Sequence, residues 1–309
     1  MKTISKLYRL LIGIFTCLTK CHLDSIIGIK GFLYYAISSI ANKVYLYSNK
    51  RIKVSGNIDY EVIVSMTSYG ERANKVYIAI DSLLSQSVRP YKIILWLSED
   101  EFNNQTLPNE LKERMQKFDY FEVGYCEDLK PHKKYYESMI QYANKCIVTA
   151  DDDVFYPIDW LETLINLHNE YPRMICCTNA HKIVLENNKI LKYDCWENLT
   201  NETGPSLLLC PVGIGGVLYP PKSLDDNVFD KNAIKQCCLN ADDLWLRVMG
   251  IIKGTSVVKT NKFPYSFLCV SGSQKTALSK SNVIQNKNDE QLNEILTIYG
   301  EKISKVLVR

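Results

Sequence analysis

The sequence predicts an α/β protein with a mostly parallel central sheet flanked by helices. Three observations carry this. Short β-branched apolar runs recur between residues 61 and 150, segments of helical periodicity alternate with them, and the connections are short. Parallel neighbours need crossovers, so a strand–helix alternation of this kind implies right-handed βαβ units. With 309 residues, 46% of them apolar, the chain can bury a large core, as one main domain with additions or as two domains.

Residues 1–53 contain nine basic groups and one acid, Asp24, a net of +8 in a chain whose total is +3, so the remainder carries −5. The apolar stretches at 10–18 and 31–41 are too short to cross a bilayer, which takes roughly 20 residues. Thr19-Lys20-Cys21-His22 is not a small-residue cleavage site. Residues 1–55 are therefore read as basic amphipathic helices lying against an anionic membrane surface. A helical hairpin packed on the protein's own core is the alternative.

From residue 56 the elements follow in order. Val62 to Thr67 is a strand closed by Ser68-Tyr69-Gly70, and Asn74 to Gln86 carries a helical apolar face. Lys92 to Leu97 is a second strand ending in Ser98-Glu99-Asp100. Leu107 to Lys117 is a short helix begun by Pro108, and Phe121 to Tyr125 a third strand. Lys133 to Tyr142 is helical and leads into the strand Cys146 to Ala150. After Phe155-Tyr156-Pro157, residues 158–169 form a helix and Met174 to Thr178 a strand. Residues 183–206 suit a hairpin and loop, 211–221 a glycine-rich segment, 233–239 a helix, and 255–260 the last strand. Residues 271–278 suit a loop that closes over a ligand, and 288–299 a polar helix.

Several chemistries are excluded. No Gly-x-Gly-x-x-Gly follows the first strand and no Gly-x-x-x-x-Gly-Lys-Ser/Thr occurs, so neither dinucleotide fingerprint nor P-loop is present. Eleven scattered cysteines without a Cys-x-x-Cys pair give no zinc pattern. They point to a reducing compartment.

What remains is acidic. Asp151-Asp152-Asp153 follows the fourth strand, where open α/β sheets bind ligands. On an extended segment, residues i and i+2 point the same way, so Asp151 and Asp153 would present two hard oxygen ligands to Mg²⁺ or Mn²⁺. Phe155 and Tyr156 stand where a calcium loop needs an oxygen ligand and a glycine. A second pair, Asp242-Asp243, opens a helix, where an acid is ordinarily just a cap. The bland alternative for the triplet is a solvated loop.

Taken together, the order resembles the GT-A glycosyltransferases, closest to the family-2-like enzymes of bacterial surface polysaccharide synthesis. It runs strand–Thr67-Ser68, strand–Ser98-Glu99-Asp100, strand–Asp151-Asp152-Asp153, glycine-rich segment, then Asp242-Asp243-x-x-Leu246-Arg247. The resemblance implies a GT-A-like, Rossmann-like domain over 56–265, with a C-terminal loop and helix at 266–309. It implies Asp151 and Asp153 as metal ligands for Mn²⁺ or Mg²⁺, Asp152 toward the donor ribose or sugar, and Asp243 as catalytic base with Asp242 beside it. Thr67, Ser68, Glu99 and Asp100 would lie near the nucleotide, Lys134 and Arg72 near the donor, and Gly215 and Gly216 along the sugar pocket. The expected reaction moves a sugar from a nucleotide-sugar donor to a hydroxyl of a saccharide acceptor with inversion. The acceptor would be lipid-linked and the enzyme peripheral on the cytoplasmic face of the cell membrane, with no nucleic acid as partner. Two rivals are a haloacid-dehalogenase-like Mg²⁺ phosphatase, with Asp151 as covalent nucleophile, and a non-catalytic saccharide-binding or scaffold protein.

Overall fold

A computed structural model describes residues 56–102, 107–263, 267–270 and 287–307. The amphipathic helices expected within 1–55 and the closing loop expected at 271–278 lie outside the described residues. The strands and helices, in chain order, are β1 (Ile58–Thr67), α1 (Tyr77–Leu84), β2 (Arg89–Ser98), α2 (Glu99–Phe102), α3 (Asn109–Lys117), β3 (Phe121–Cys126), α4 (Lys133–Gln141), β4 (Cys146–Ala150) and α5 (Trp160–Glu170). The second half contains β5 (Ile175–Cys177), β6 (Ala180–Lys182), β7 (Leu185–Glu186), β8 (Lys189–Ile190), β9 (Leu209–Pro211) and β10 (Val217–Tyr219). It ends with α6 (Lys231–Cys237), α7 (Asp242–Lys253), β11 (Val257–Lys259) and α8 (Lys287–Leu307).

Seven strands form the central sheet in the order β11-β5-β10-β4-β1-β2-β3. All neighbours are parallel except β10, which runs antiparallel to both β4 and β5. The chain steps outward from β1 to β2 and β3, then returns to place β4 on the other side of β1. The strand order therefore reverses between β1 and β4, and a crevice opens at their carboxyl ends. Thr67, which ends β1, and Asp151, which follows β4, share that edge because Met66 registers with Ala150.

Alternation along the strands sets the two faces. Val62, Val64 and Met66 join Ile93, Leu95 and Leu97 in a core covered by α1 and α5. Ile63, Ile94, Trp96 and Ile147 point the other way, under Met139 and Tyr142 of the α4 side. Ser65 faces α4 as well, and its hydroxyl lies 2.7 Å from that of Ser138, which also accepts from Trp96 Nε1. A side chain at Gly124 would collide with the Trp96 ring, its Cβ falling 2.3 Å from a ring carbon.

Two elements differ from expectation. The helix expected over Asn74 to Gln86 begins as a 3₁₀ turn, Gly70–Asn74, and becomes α-helical only at Tyr77. The C-terminal helix, expected to be polar and to end at Tyr299, is 21 residues long and amphipathic. Leu292, Ile295, Tyr299 and Ile303 form one buried stripe against α6 and α7, in the same core as Trp245 and Leu246. Its many charges hid a helical repeat that has solvent on only one side. The hairpin expected after residue 183 is β7–β8, turned by Asn187 and Asn188 at positive φ. All nine described cysteines are free, and eight are buried.

Candidate active site

The crevice is a cleft of about 900 Å³. Thr67, Arg72, Asp100, Lys134, the triplet Asp151–Asp153 and the pair Asp242-Asp243 all line it. Residues as far apart as 67 and 243 meet because β1, β2 and β4 end together and α7 starts against them.

The triplet does not continue β4. Residues 152 and 153 form a turn, so the i, i+2 rule for extended chain does not set the directions of Asp151 and Asp153. Instead Asp152 and Asp153 share Arg72. The guanidinium grips both oxygens of Asp152, donating from Nε to Oδ2 at 3.0 Å and from Nη2 to Oδ1, and its Nη2 lies 3.0 Å from Asp153 Oδ2. Ser68 Oγ donates to Asp152 Oδ2 at 2.6 Å. Burial opposes the charge on Arg72, but Asp152 and then Asp153 outweigh it and raise its pKa further. Asp151, the most exposed of the three carboxylates, faces Lys134 Nζ at 3.1 Å. Its backbone N–H donates to Tyr156 Oη at 2.8 Å.

Lys134 joins the two acid clusters. Its ammonium lies 2.8 Å from Asp242 Oδ2 as well as against Asp151. Burial alone would lower its pKa. The charges of Asp151, Asp242 and Asp243 outweigh that and hold it well above the ordinary lysine value. Neither Lys133 nor Lys134 is solvated at the helix start: both are buried, and Lys133 pairs with Asp128. A cation in the first turn of α4 runs against the helix dipole, so these carboxylates are what hold it there.

Asp242 and Asp243 open α7, but Ala241 is its N-cap and no side chain makes the capping bond. Freed from capping, Asp243 Oδ2 accepts the Gly213 backbone N–H at 2.8 Å. Burial, and then the neighbouring Asp242 charge, raise the Asp243 pKa from 3.8 to about 7, against the opposing pull of Lys134 and the Gly213 N–H. That value suits a general base at neutral pH.

Other expected positions fall elsewhere. Ser68 is buried and reaches the cleft only through Asp152. Glu99 is exposed at the start of α2, and its place on the cleft wall is taken by Glu101, which accepts the Gly70 N–H at 2.5 Å. Gly215 and Gly216 do not line the cleft. The Gly215 carbonyl accepts from Trp160 Nε1 and Thr178 Oγ1, and Gly216, at φ +85°, lies against the Trp160 ring. The glycine that matters is Gly213, where a Cβ would sit 2.8 Å from Asp243 Oδ1 and 3.1 Å from Lys134 Nζ. Sequence gave no means of choosing among the three, because glycine spacing does not say which backbone is approached. His181 lines the cleft, and its Nδ1 accepts the Leu199 N–H at 3.0 Å.

No sequence motif singles out His132. It is fully buried, with Nε2 2.7 Å from the Cys238 carbonyl and Nδ1 2.9 Å from Tyr135 Oη. A carbonyl only accepts, so Nε2 carries the proton and Nδ1 accepts. Burial holds its pKa down at about 4. A neutral His132 thus ties the start of α4, which carries Lys134, to the turn preceding Asp242.

For a divalent cation the donor chemistry is right in kind. Asp151 and Asp153 offer hard oxygens at the cleft wall. Among the described residues no cluster of three His, Cys, Asp or Glu side chains forms a protein cage. Two carboxylates completed by water and substrate phosphates is the arrangement Mg²⁺ ordinarily takes.

No protein-family profile matches the chain, and no curated protein matches its sequence. Solved structures do. The chain is similar to S. aureus TarS (residues 1–349) at 13% identity and a TM-score of 0.46, over 78% of this chain and 72% of that one. It is also similar to the mannosyltransferase PcManGT from Pyrobaculum calidifontis, in complex with GDP-Man and Mn²⁺. That match has 13% identity and a TM-score of 0.49, over 96% of this chain and 80% of that one. Both are likenesses of the chain trace, and the functional reading below rests on the cleft.

Proposed function

We propose that this chain is a metal-dependent glycosyltransferase moving a sugar from a nucleotide-sugar donor to a hydroxyl of a saccharide acceptor. One observation carries the reading. At the switch point of the sheet, the acid triplet and a carboxyl of pKa about 7 face one cleft, with a buried lysine between them. A donor site and a base site are thus adjacent and electrostatically linked.

Asp151 and Asp153 would hold the divalent cation, which when bound offsets charge on the diphosphate leaving group. Lys134 adds a fixed positive charge beside Asp151. Thr67 and Asp100 line the end of the cleft beyond β1 and β2, where the nucleoside would lie. Asp243 takes the proton of the acceptor hydroxyl as its oxygen attacks the anomeric carbon from the face opposite the leaving group, giving inversion. The Gly213 N–H aims the Asp243 carboxylate, Lys134 holds its pKa down, and Asp242 raises its basicity.

The acceptor is proposed to be lipid-linked, with the basic segment 1–55 on an anionic membrane surface at the cytoplasmic face, in surface polysaccharide synthesis. The support is the charge of that segment. Among the described residues no helix is long and apolar enough to cross a membrane.

The test is a panel of nucleotide sugars assayed for nucleotide release with Mn²⁺ or Mg²⁺, with Asp151→Asn and Asp243→Asn alongside. Release by the wild type and its loss in both variants is expected. Unchanged turnover in the variants would overturn the site assignment, and a phosphoaspartate trapped at Asp151 would favour a phosphatase.

A further inference from the structure

The Arg72 grip on the triplet is uneven. On Asp152 the guanidinium makes two bonds and Ser68 adds a third, whereas toward Asp153 its Nη2 approaches Oδ2 at 3.0 Å. The Asp153 main chain is itself pinned, because its carbonyl accepts the Val270 N–H at 2.7 Å and Val154 bridges Cys269. The Tyr69 ring lies 5.4 Å from the guanidinium carbon. Arg72 is thus anchored through Asp152 and extended toward Asp153, the carboxylate that a metal would need.

Charge gives this arrangement a consequence. Among the described residues the three triplet carboxylates face Arg72 and Lys134, the latter shared with Asp242, and the Asp152 and Asp153 side chains are only 8% and 10% exposed. A bare dication arriving there would meet a guanidinium already compensating Asp153 and would have to share that carboxylate with it. A dication arriving with a diphosphate brings its own anion. The phosphate oxygens also offer Arg72 the planar, two-pronged partner that a guanidinium prefers.

We infer that Arg72 makes metal binding conditional on the nucleotide: it occupies Asp153 against bare metal and turns to the diphosphate when metal and nucleotide arrive together. The inference rests on the glycosyltransferase reading above and adds to it a residue that orders the loading of the site. Arg72 is a specificity-determining residue for the metal–nucleotide complex over the free ion.

The test is Mn²⁺ titration of the full-length chain, following free Mn²⁺ by electron paramagnetic resonance with and without UDP or GDP. Wild type, Arg72→Met and Arg72→Lys are compared, and thermal unfolding checks that each is folded. In the wild type the nucleotide should tighten Mn²⁺ binding by a factor within the roughly 5–150-fold range of such couplings. Arg72→Met should bind Mn²⁺ alone at least about fivefold more tightly than wild type, with the nucleotide effect reduced correspondingly. Arg72→Lys keeps the charge but not the fork, so it should fall between the two; it decides the matter if the methionine variant does not fold. If the folded variants bind Mn²⁺ alone no more tightly than wild type, while Mn²⁺ and nucleotide still bind together, the role of Arg72 is overturned and the donor–metal reading stands. If no form binds Mn²⁺ even with nucleotide, both fall.

Discussion

Replacing Asp243 with asparagine should abolish turnover and yet stabilise the protein at neutral and alkaline pH. In the folded state its carboxyl titrates at about 7 rather than 3.8, chiefly because it is buried and secondly because Asp242 lies beside it. The native state therefore binds more protons than the unfolded state between these two values. By linkage, stability is full below the unfolded pKa and declines as pH rises, until the cost is complete above the folded pKa. An elevation of about three pH units corresponds to at most ~4 kcal/mol. The group lines an open cleft where water screens it, so a discount to about 2 kcal/mol is appropriate. For a chain of this size that is a rise in Tm of about 3 °C. Asparagine matches the shape of the neutral acid and carries no such cost. Differential scanning calorimetry of wild type and Asp243→Asn at pH 4.5 and pH 8 checks this. The gain should be a few degrees at pH 8 and shrink to a small fraction of that at pH 4.5, since other groups titrate alike in both proteins. A variant that is no more stable than wild type at pH 8, or equally stabilised at both values, refutes the reasoning. Wild-type kcat/KM should correspondingly fall as pH drops below about 7 and the base is protonated.

Other outcomes are expected from the same geometry. Lys134→Met removes the cation facing Asp151, Asp242 and Asp243. Its acidic limb of kcat/KM should move to higher pH by about one unit or more, because Asp243 then loses the charge that pulls its pKa down; an unmoved limb would show that Lys134 does not feel the base. Gly213→Ala pushes a methyl against Asp243 and Lys134. It should cut kcat roughly a hundredfold through misplacement while leaving thermal stability nearly unchanged, which steady-state kinetics and a melt distinguish. Ile295→Ala on α8 should cost about 2–4 kcal/mol in urea unfolding, since Ile295 is fully buried against the α6–α7 core; a loss under 1 kcal/mol would mean the helix is peripheral. In vesicle flotation on anionic lipid, loss of binding on deleting residues 1–55 supports membrane contact, and equal flotation removes it.

Much of the fold was legible because strands signal themselves locally. Cys146–Ala150 is a continuous apolar run, and it is a strand with the bounds the sequence suggested. The polar face of α8 was misleading for the opposite reason: its stripe of Leu292, Ile295, Tyr299 and Ile303 is diluted by charge, and only the neighbour it packs on reveals its purpose. At the site, residue type was readable and pairing was not. Asp151 and Asp153 were readable as oxygen donors, but that a turn at 152–153 delivers Asp152 and Asp153 to one arginine from 80 residues away was not.

The sequence by itself determined the alternation of strands and helices, the acid clusters at element ends, and the exclusion of phosphate-binding glycine motifs. These depend on neighbours within a few positions, where periodicity and turn chemistry act. Only the tertiary structure decided that Lys134 bridges the two acid clusters, that Gly213 rather than Gly215 or Gly216 touches Asp243, and that burial and Asp242 raise the Asp243 pKa to about 7. Each of these follows from burial and charge brought together across the switch point of the sheet. Desolvation and Coulomb energy depend on distance in space, and spacing along the chain does not encode it.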